Sequence, residues 1–328
     1  MTGAHPSLSS ATTLSQRRDS VERFLAEARG GPVNVAAMHE ERCPFTTLND
    51  ASVLFIELTT GEQISLFVKA MRRHGHPDKT RPDREAQVYA RLLQLGELPV
   101  PGFLGTTWDP ATEQGEVFLE FLPDWDLRYH GLDLWDVAVR DLARLHSWFA
   151  DQPALAGCDA LLRLDASYFR AWAPRAVGAV TARSAALGRL LERALARYEP
   201  VTTLLGQQPP TLVHNDLSPK NVIVDRSRSP VRTYFVDWEV AGIGCALLDL
   251  VHLTYGLGAD DERRLWTTYL EVLGARSLVP RSVDEQRRLL RACAAHKTVY
   301  RLAHVVGWDT SRVTIEAWID ELRTLVRS

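Results

Sequence analysis

The sequence predicts an α+β fold in two parts, and three observations predict it. Between residues 52 and 122 the apolar residues fall in short β-branched and aromatic runs separated by turns. From residue 134 onward they recur at helical spacing. A single strand hairpin, over residues 222–236, interrupts the helical part. The chain of 328 residues is long enough for two domains or lobes with an ample core.

Residues 1–16 are rich in Ser, Thr and Ala and are expected to form a disordered tail. Ser52–Thr59 reads as a strand, Thr60-Gly61 as a turn, and Gln63–Lys69 alternates polar and apolar. The pair is a hairpin with Lys69 near the end of its second strand. A helix is expected next, with a Thr-x-x-Asp start signal at Thr80 and Pro82 in the first turn. Glu85, Tyr89 and Leu92 then share one face. Glu85 therefore points inward, where a carboxylate needs a cationic partner. Lys69 is the natural candidate.

Val117–Leu122 is an apolar strand that stops at Pro123. Leu142, Leu145, His146 and Phe149 form one helical stripe, and His146 reads as a packed, hydrogen-bonded histidine. Residues 151–205 form an Ala/Leu/Arg-rich helical insert. Ser282–Glu285 is a capping box opening a helix to about His304. Ile315, Trp318, Ile319, Leu322 and Leu325 mark a final amphipathic helix.

Composition excludes some functions. The hydrophobic share of 45% and charged share of 24% are those of a globular protein. A net charge of −3 argues against nonspecific nucleic-acid binding. No apolar run approaches the length of a membrane span. The first residues lack a basic stretch followed by an apolar core, so a cytoplasmic protein is expected. Cys43, Cys158, Cys245 and Cys293 show no metal or redox spacing and read as thiols in a reducing compartment. Of 38 basic residues only Lys69, Lys79, Lys220 and Lys297 are lysine. Against such a bias, a lysine marks a place where a compact charge serves better than the planar fork of arginine. Lys79 is expected at the surface.

The chemistry lies in residues 214–239. His214-Asn215-Asp216-Leu217-Ser218-Pro219-Lys220-Asn221 precedes a β-branched run, Val222–Val224. A turn-forming stretch and a second strand, Val231–Val236, lead to Asp237. A hairpin brings Asn221 and Asp237 side by side at its open end, with Asp216 on the preceding loop. Singly, such residues would be turn formers. Together they supply a base for a hydroxyl and two oxygen ligands for magnesium, which prefers oxygen and shares its sites with phosphates. Phosphoryl transfer needs this set, because its catalysis is mostly positioning and charge neutralisation.

At these residues the chain resembles the aminoglycoside phosphotransferase and choline kinase group, which has a protein-kinase-like fold. That group's His-x-Asp-x-x-x-x-Asn loop is matched by His214, Asp216 and Asn221, and its Asp-Trp-Glu by Asp237-Trp238-Glu239. The resemblance spans residues 45–325. It implies a two-lobed α+β fold, with a small antiparallel sheet lobe carrying one helix and a larger, mainly helical lobe. The expected division is a nucleotide lobe and hinge over residues 17–122 and a catalytic lobe over 123–328. Asp216 would be the catalytic base, Asn221 and Asp237 would hold Mg2+, His214 would brace the loop and Asp249 would support it. Lys69, paired with Glu85, would contact the phosphates of ATP or GTP. Glu120 and Leu122 would offer hinge carbonyl and amide to the base, and Ser218 would join the nucleotide contacts. No Gly-x-Gly-x-x-Gly precedes Lys69; the glycine-free segment 44–51 stands where a phosphate-covering loop is expected.

The acceptor is less legible. Ser218 stands where protein kinases carry a Lys, and only twelve positions separate Asp237 from Asp249, which leaves no room for an activation loop. Both favour a small-molecule hydroxyl over a protein. Residues 151–200 carry seven Arg against five acids, which speaks against a strongly cationic acceptor. Asp260-Asp261-Glu262 and Asp124, Asp126, Asp133 and Asp136 are acidic candidates for the opposite view. The leading expectation is a kinase of an antibiotic or other natural product. A choline, ethanolamine or other primary-metabolite kinase, and a catalytically silent nucleotide-binding protein, remain as alternatives.

Overall fold

The computed structural model describes residues 13–43, 50–274 and 278–327. It opens with α1 (Leu14–Arg29) and β1 (Val35–Arg42), followed by β2 (Ala51–Leu58) and β3 (Gln63–Met71). After α2 (Arg84–Val88), which runs on as a π-helical turn over Tyr89–Leu93, come β4 (Phe103–Asp109) and β5 (Gln114–Glu120). The five strands make one antiparallel sheet in the order β1-β2-β3-β5-β4.

Two expectations for this part need correction. Leu14, Ser15 and Gln16 are not tail but the first turn of α1, because Thr13 and Gln16 form a reciprocal capping box. The helix then lays Val21, Phe24 and Leu25 on one face of the sheet, against Leu54, Ile56, Val68 and Phe118. Phe24 lies so close to β4 that a Cβ at Gly105 would sit 2.6 Å from its ring. The helix after Thr80 starts only at Arg84, with Asp83 as its N-cap and no side-chain cap bond. The Asp83 carboxylate is engaged by Arg81, at 3.1 Å.

The second part is mainly helical. It comprises α3 (Leu132–Phe149), α4 (Pro153–Gly157), β6 (Leu162–Arg163), α5 (Ala166–Arg183), α6 (Ala185–Leu195) and α7 (Glu199–Gly206). There follow β7 (Pro210–Val213), the hairpin β8 (Val222–Asp225) and β9 (Arg232–Phe235), and β10 (Gly242–Cys245). The chain ends in α8 (Leu247–Thr254), α9 (Ala259–Leu273), α10 (Val283–Ala303) and α11 (Arg312–Leu325). The expected hairpin is present, with Val222 opposite Phe235. The short strand β10 lies between β6 and β7. The capping box expected at Ser282 does not form: α10 begins there without a side-chain cap. Among the described residues no helix is long and apolar enough to cross a membrane.

The second face of the first sheet, through Met71, Val117 and Leu119, merges with the apolar core of the helical part. Tyr89 and Leu92 of the π-helical turn are fully buried in that core, on the face the sequence assigned them. The buried carboxylate of Glu85, on the same face, lies between sheet and helical part.

Candidate active site

Lys69 sits two residues from the end of β3, opposite Val117 of β5 and Ala51 of β2. Its ammonium donates to Glu85 Oε2 at 2.7 Å and to Asp237 Oδ1 at 2.5 Å, and lies 3.7 Å from Glu239 Oε2. Burial opposes the Lys69 charge, but Asp237, Glu85 and Glu239 outweigh it and push its pKa well above the ordinary value. Burial also opposes the charge of Asp237, yet Lys69 brings that carboxyl down to about 2. Glu85 is pushed up, first by burial and then by the nearby carboxylates, against the pull of Lys69.

The other oxygen of Glu85, Oε1, accepts the backbone N–H of Trp238 at 3.2 Å. One carboxylate thus ties α2 to both Lys69 and the Asp237-Trp238-Glu239 stretch. Lys79 belongs to the same cluster. It is paired with Glu239 and largely buried, which corrects its expected place at the surface. Sequence spacing missed it because no regular element connects Lys79 to Lys69.

The loop from His214 to Asn221 is held by one buried carboxylate. Asp249 of α8 accepts the backbone N–H groups of His214 at 2.7 Å and Asn215 at 2.8 Å. His146, fully buried, contacts Asp249 Oδ2 through Nε2 at 3.3 Å and the Tyr269 hydroxyl through Nδ1 at 2.7 Å. His146 is therefore a packed, hydrogen-bonded residue. His214 Nε2 donates to the Val236 carbonyl at 2.8 Å, fastening the loop to the residue before Asp237.

These clamps hold two residues in the left-handed region, Asn215 at φ 67° and Asp237 at φ 72°. Non-glycine residues there are uncommon, and such strain persists only where surroundings over-determine it. The Asn215 side-chain amide, bonded to the Tyr168 hydroxyl at 3.0 Å, adds to that determination.

Asp216 accepts at its backbone carbonyl from Ser218 N–H and from the Asn221 side-chain amide, each at 2.8 Å. Its carboxylate has no protein hydrogen-bond donor among the described residues. Burial raises its pKa above the ordinary carboxyl value, partly offset by Lys220 and His214. With Nδ2 of Asn221 spent on Asp216, its Oδ1 is the group left to face a ligand. Asn221 O accepts from Val236 N–H at 3.0 Å, which sets Asn221 beside Asp237 across the hairpin. An amide oxygen and a carboxylate are hard oxygen donors, so the pair fits magnesium, which takes one or two protein ligands and completes its shell with water and phosphate. Among the described residues no group of three or more His, Cys, Asp or Glu could hold a metal by itself. The Ser218 hydroxyl is buried without a protein partner among the described residues.

The structure thus gathers Lys69, Glu85, Asp216, Asn221 and Asp237, and places Ser218 on the same loop. Glu120 and Leu122 stand apart, at and beyond the end of β5. The Glu120 N–H donates to Gly102 O at 2.8 Å and its carboxylate accepts from Gly102 N–H at 3.1 Å. Residues 44–49 of the expected phosphate-covering segment lie outside the described residues. The acidic candidates are engaged elsewhere or solvated. Asp126 pairs with Arg128 and Asp136 with Arg140. Asp124 accepts from Arg226 N–H, and Asp260 pairs at the surface with Arg263.

A family model described as the phosphotransferase enzyme family matches residues 45–295, and so takes in the Lys69–Glu85 pair, the Asp216 loop, the hairpin and Asp237. The chain belongs to the phosphotransferase enzyme family. It is a small-molecule phosphotransferase. No curated protein matches it. Among solved structures, a microcompartment-associated aminopropanol kinase is 16% identical with a TM-score of 0.62, covering 93% of this chain and 94% of that one. The GDP complex of an aminoglycoside 2'-phosphotransferase is 15% identical with a TM-score of 0.57, over 94% and 96%. The macrolide 2'-phosphotransferase of Brachybacterium faecium is 18% identical with a TM-score of 0.53, over 93% and 98%. At these identities the likeness shows the kinase-like fold that this phosphotransferase shares with them.

Proposed function

We propose that the protein transfers the γ-phosphate of ATP or GTP to a hydroxyl of a small molecule, such as an antibiotic or other natural product. The observation that carries this is Lys69, bonded at once to Glu85 on α2 and to Asp237 beyond the hairpin. A cation held between a helix carboxylate and a carboxylate suited to a metal is preset to receive phosphate oxygens. On this reading residues up to 122 form the nucleotide part and hinge, and residues from 123 the catalytic part. Lys69 binds the α- and β-phosphates while Glu85 keeps it oriented. Ser218 offers its unpartnered hydroxyl to the nucleotide. The Glu120 carbonyl and Leu122 amide face the base.

Asn221 Oδ1 and the Asp237 carboxylate would hold magnesium, which when bound neutralises phosphate charge and aligns the γ-phosphate. Asp216 takes the proton of the acceptor hydroxyl. The acceptor oxygen bonds to the γ-phosphorus, the bond from that phosphorus to the β–γ bridging oxygen breaks, and the nucleoside diphosphate leaves. The raised pKa of Asp216 suits this role, since a base works best with a pKa nearer the operating pH. Incubating labelled ATP with a panel of alcohols and following the label into product tests the reading. Transfer that needs neither magnesium nor Asp216 would overturn it. The same panel separates a natural-product kinase from a primary-metabolite kinase. Magnesium-dependent nucleotide turnover separates both from a silent nucleotide-binding protein.

A further inference from the structure

A second group of nitrogen donors, two cations and a histidine, stands beside Asp216, on α8 and α10, and the reaction just described leaves it unused. Lys297 is half-buried, and among the described residues its ammonium has neither a hydrogen-bond acceptor nor an ion-pair partner. The ammonium lies 5.3 Å from the centroid of the Tyr255 ring. The Arg301 guanidinium lies over the same ring at 3.9 Å and beside Trp318 at 5.1 Å. One of its nitrogens reaches Thr298 Oγ1 at 3.0 Å and Glu321 at 3.3 Å. The other terminal nitrogen, NH1, is buried without a partner among the described residues. His252 is only 6% exposed, and among the described residues neither of its ring nitrogens has a partner.

Buried polar groups are nearly always paired, and a buried cation without an acceptor is costly. Here three neighbouring side chains each keep at least one donor nitrogen without an acceptor among the described residues. They are mutual neighbours, since Lys297 and Arg301 both help hold the His252 pKa well below its ordinary value, after burial. They also adjoin the chemistry, because Lys297 helps lower the Asp216 carboxyl against its burial.

The nearby acids do not close the group. Asp249 is engaged by His214, Asn215 and His146, and among the described residues Glu321 reaches only Arg301. A cationic acceptor would meet repulsion here. An anionic one would find two positive charges and an N–H donor on the neutral His252.

We propose that Lys297, Arg301 and His252 form an anion-binding half of the acceptor site, so that the alcohol phosphorylated at Asp216 carries a carboxylate or phosphate group. The proposal rests on the reading of Asp216 as the base. The hydroxyl is held at Asp216 and the anionic group on α8 and α10, so one small molecule spans both. Lysine at position 297 gives a point charge beside Asp216 where the broader fork of Arg301 is already stacked on Tyr255.

The test is a calorimetric titration of the intact protein, its nucleotide site first saturated with magnesium and ADP. Sulfate and acetate are the probes, standing for the phosphate and carboxylate sources, and the tighter binder identifies the group. Wild type is expected to bind at least one of them. Lys297→Met is expected to weaken that binding by about tenfold or more, the loss of one charge-assisted contact.

A second measurement needs no variant. Burial and then Arg301 lower the Lys297 pKa to about 7. Among the described residues the other titratable or charged groups facing it are Asp216, Asp249, Glu321, His252 and His296. Lys297 loses its charge as pH rises, so sulfate affinity should fall roughly tenfold between about pH 6 and pH 8. Binding of neither probe overturns the proposal, as does equal binding by Lys297→Met or a sulfate affinity flat across that range. Failure of the underlying reading shows separately, as phosphate transfer retained by Asp216→Asn.

Discussion

The Lys69 cluster and the Lys297 cluster both act on the carboxyl of Asp216, one through Asp237 and the other directly. They differ in how their charges are satisfied. Lys69 has Glu85, Asp237 and Glu239 around it, and Lys79 closes the set on Glu239. Among the described residues, Arg301 and His252 keep buried nitrogens without partners, and Lys297 has only the Tyr255 ring beside its ammonium. The first cluster is a finished ion-pair network that a nucleotide and metal would rearrange, exchanging one partner for another. On the proposal made above, the second would be completed by an anion from outside. If the proposed roles hold, the contrast teaches that a phosphate-handling site and an acceptor site need different states before substrate arrives. The first must keep a strongly charged lysine in register, and the second must leave room and donors for a molecule of variable shape.

Four experiments break or sharpen this comparison. The largest effect is expected at the point the clusters share. Asp216→Asn should lower kcat by at least about 10²–10⁴-fold while nucleotide affinity is kept, because general base catalysis is typically of that size. Near-normal turnover in the variant removes Asp216 from the mechanism.

Next comes the closed cluster. Lys69→Arg should lower kcat/KM by about tenfold or more and raise the nucleotide KM, with the fold kept. A guanidinium cannot occupy the point between Glu85 and Asp237 without shifting α2. Steady-state kinetics in nucleotide decide it, and wild-type constants would mean that the cluster is only structural. Glu85→Gln should give a milder defect of the same kind, under about tenfold, since the amide oxygen can still accept from Lys69 or from the Trp238 N–H, though not from both, and Lys69 keeps its charge. A defect larger than that of Lys69→Arg would assign Glu85 a role beyond orientation.

The smallest effect is a displacement of pH dependence. The Asp216 carboxyl is raised by burial, and a base must be deprotonated to act. Activity should therefore fall on acidification at a pH above the ordinary Asp value of about 3.9. The acid limb of kcat/KM against pH reads this, and a limb at or below that value contradicts the assigned base.

Much of the closed cluster was legible in the sequence, and the open one was not. Glu85 was placed inward by the helical spacing of Tyr89 and Leu92, and its pairing with Lys69 followed from the cost of a lone buried carboxylate. The hairpin between Asn221 and Asp237 was legible because strand and turn residues alternate there in a short span. The brace at Asp249 came from the family resemblance, and the structure shows its means, two loop N–H groups.

His252, Lys297 and Arg301 left a weaker trace. They lie on helices whose apolar spacing marks core, and their meeting is a tertiary event between α8 and α10. The scarcity of lysine was the one available signal, and it marked Lys297 along with Lys69. In the first part, α1 was hidden because its start at Thr13 abuts a Ser/Thr/Ala-rich stretch, and its capping box was read as part of the tail. At Ser282 the error ran the other way: the letters of a capping box are present and the cap bond is not.

The most direct test of the central claim is nucleotide binding with and without magnesium, in wild type and in Asp237→Ala. Asp237 is the residue that the reading moves from Lys69 to the metal when substrate arrives. Wild type should bind ATP more tightly with magnesium than without, and Asp237→Ala should lose that difference while still binding the nucleotide. A magnesium effect of equal size in both proteins would contradict the account.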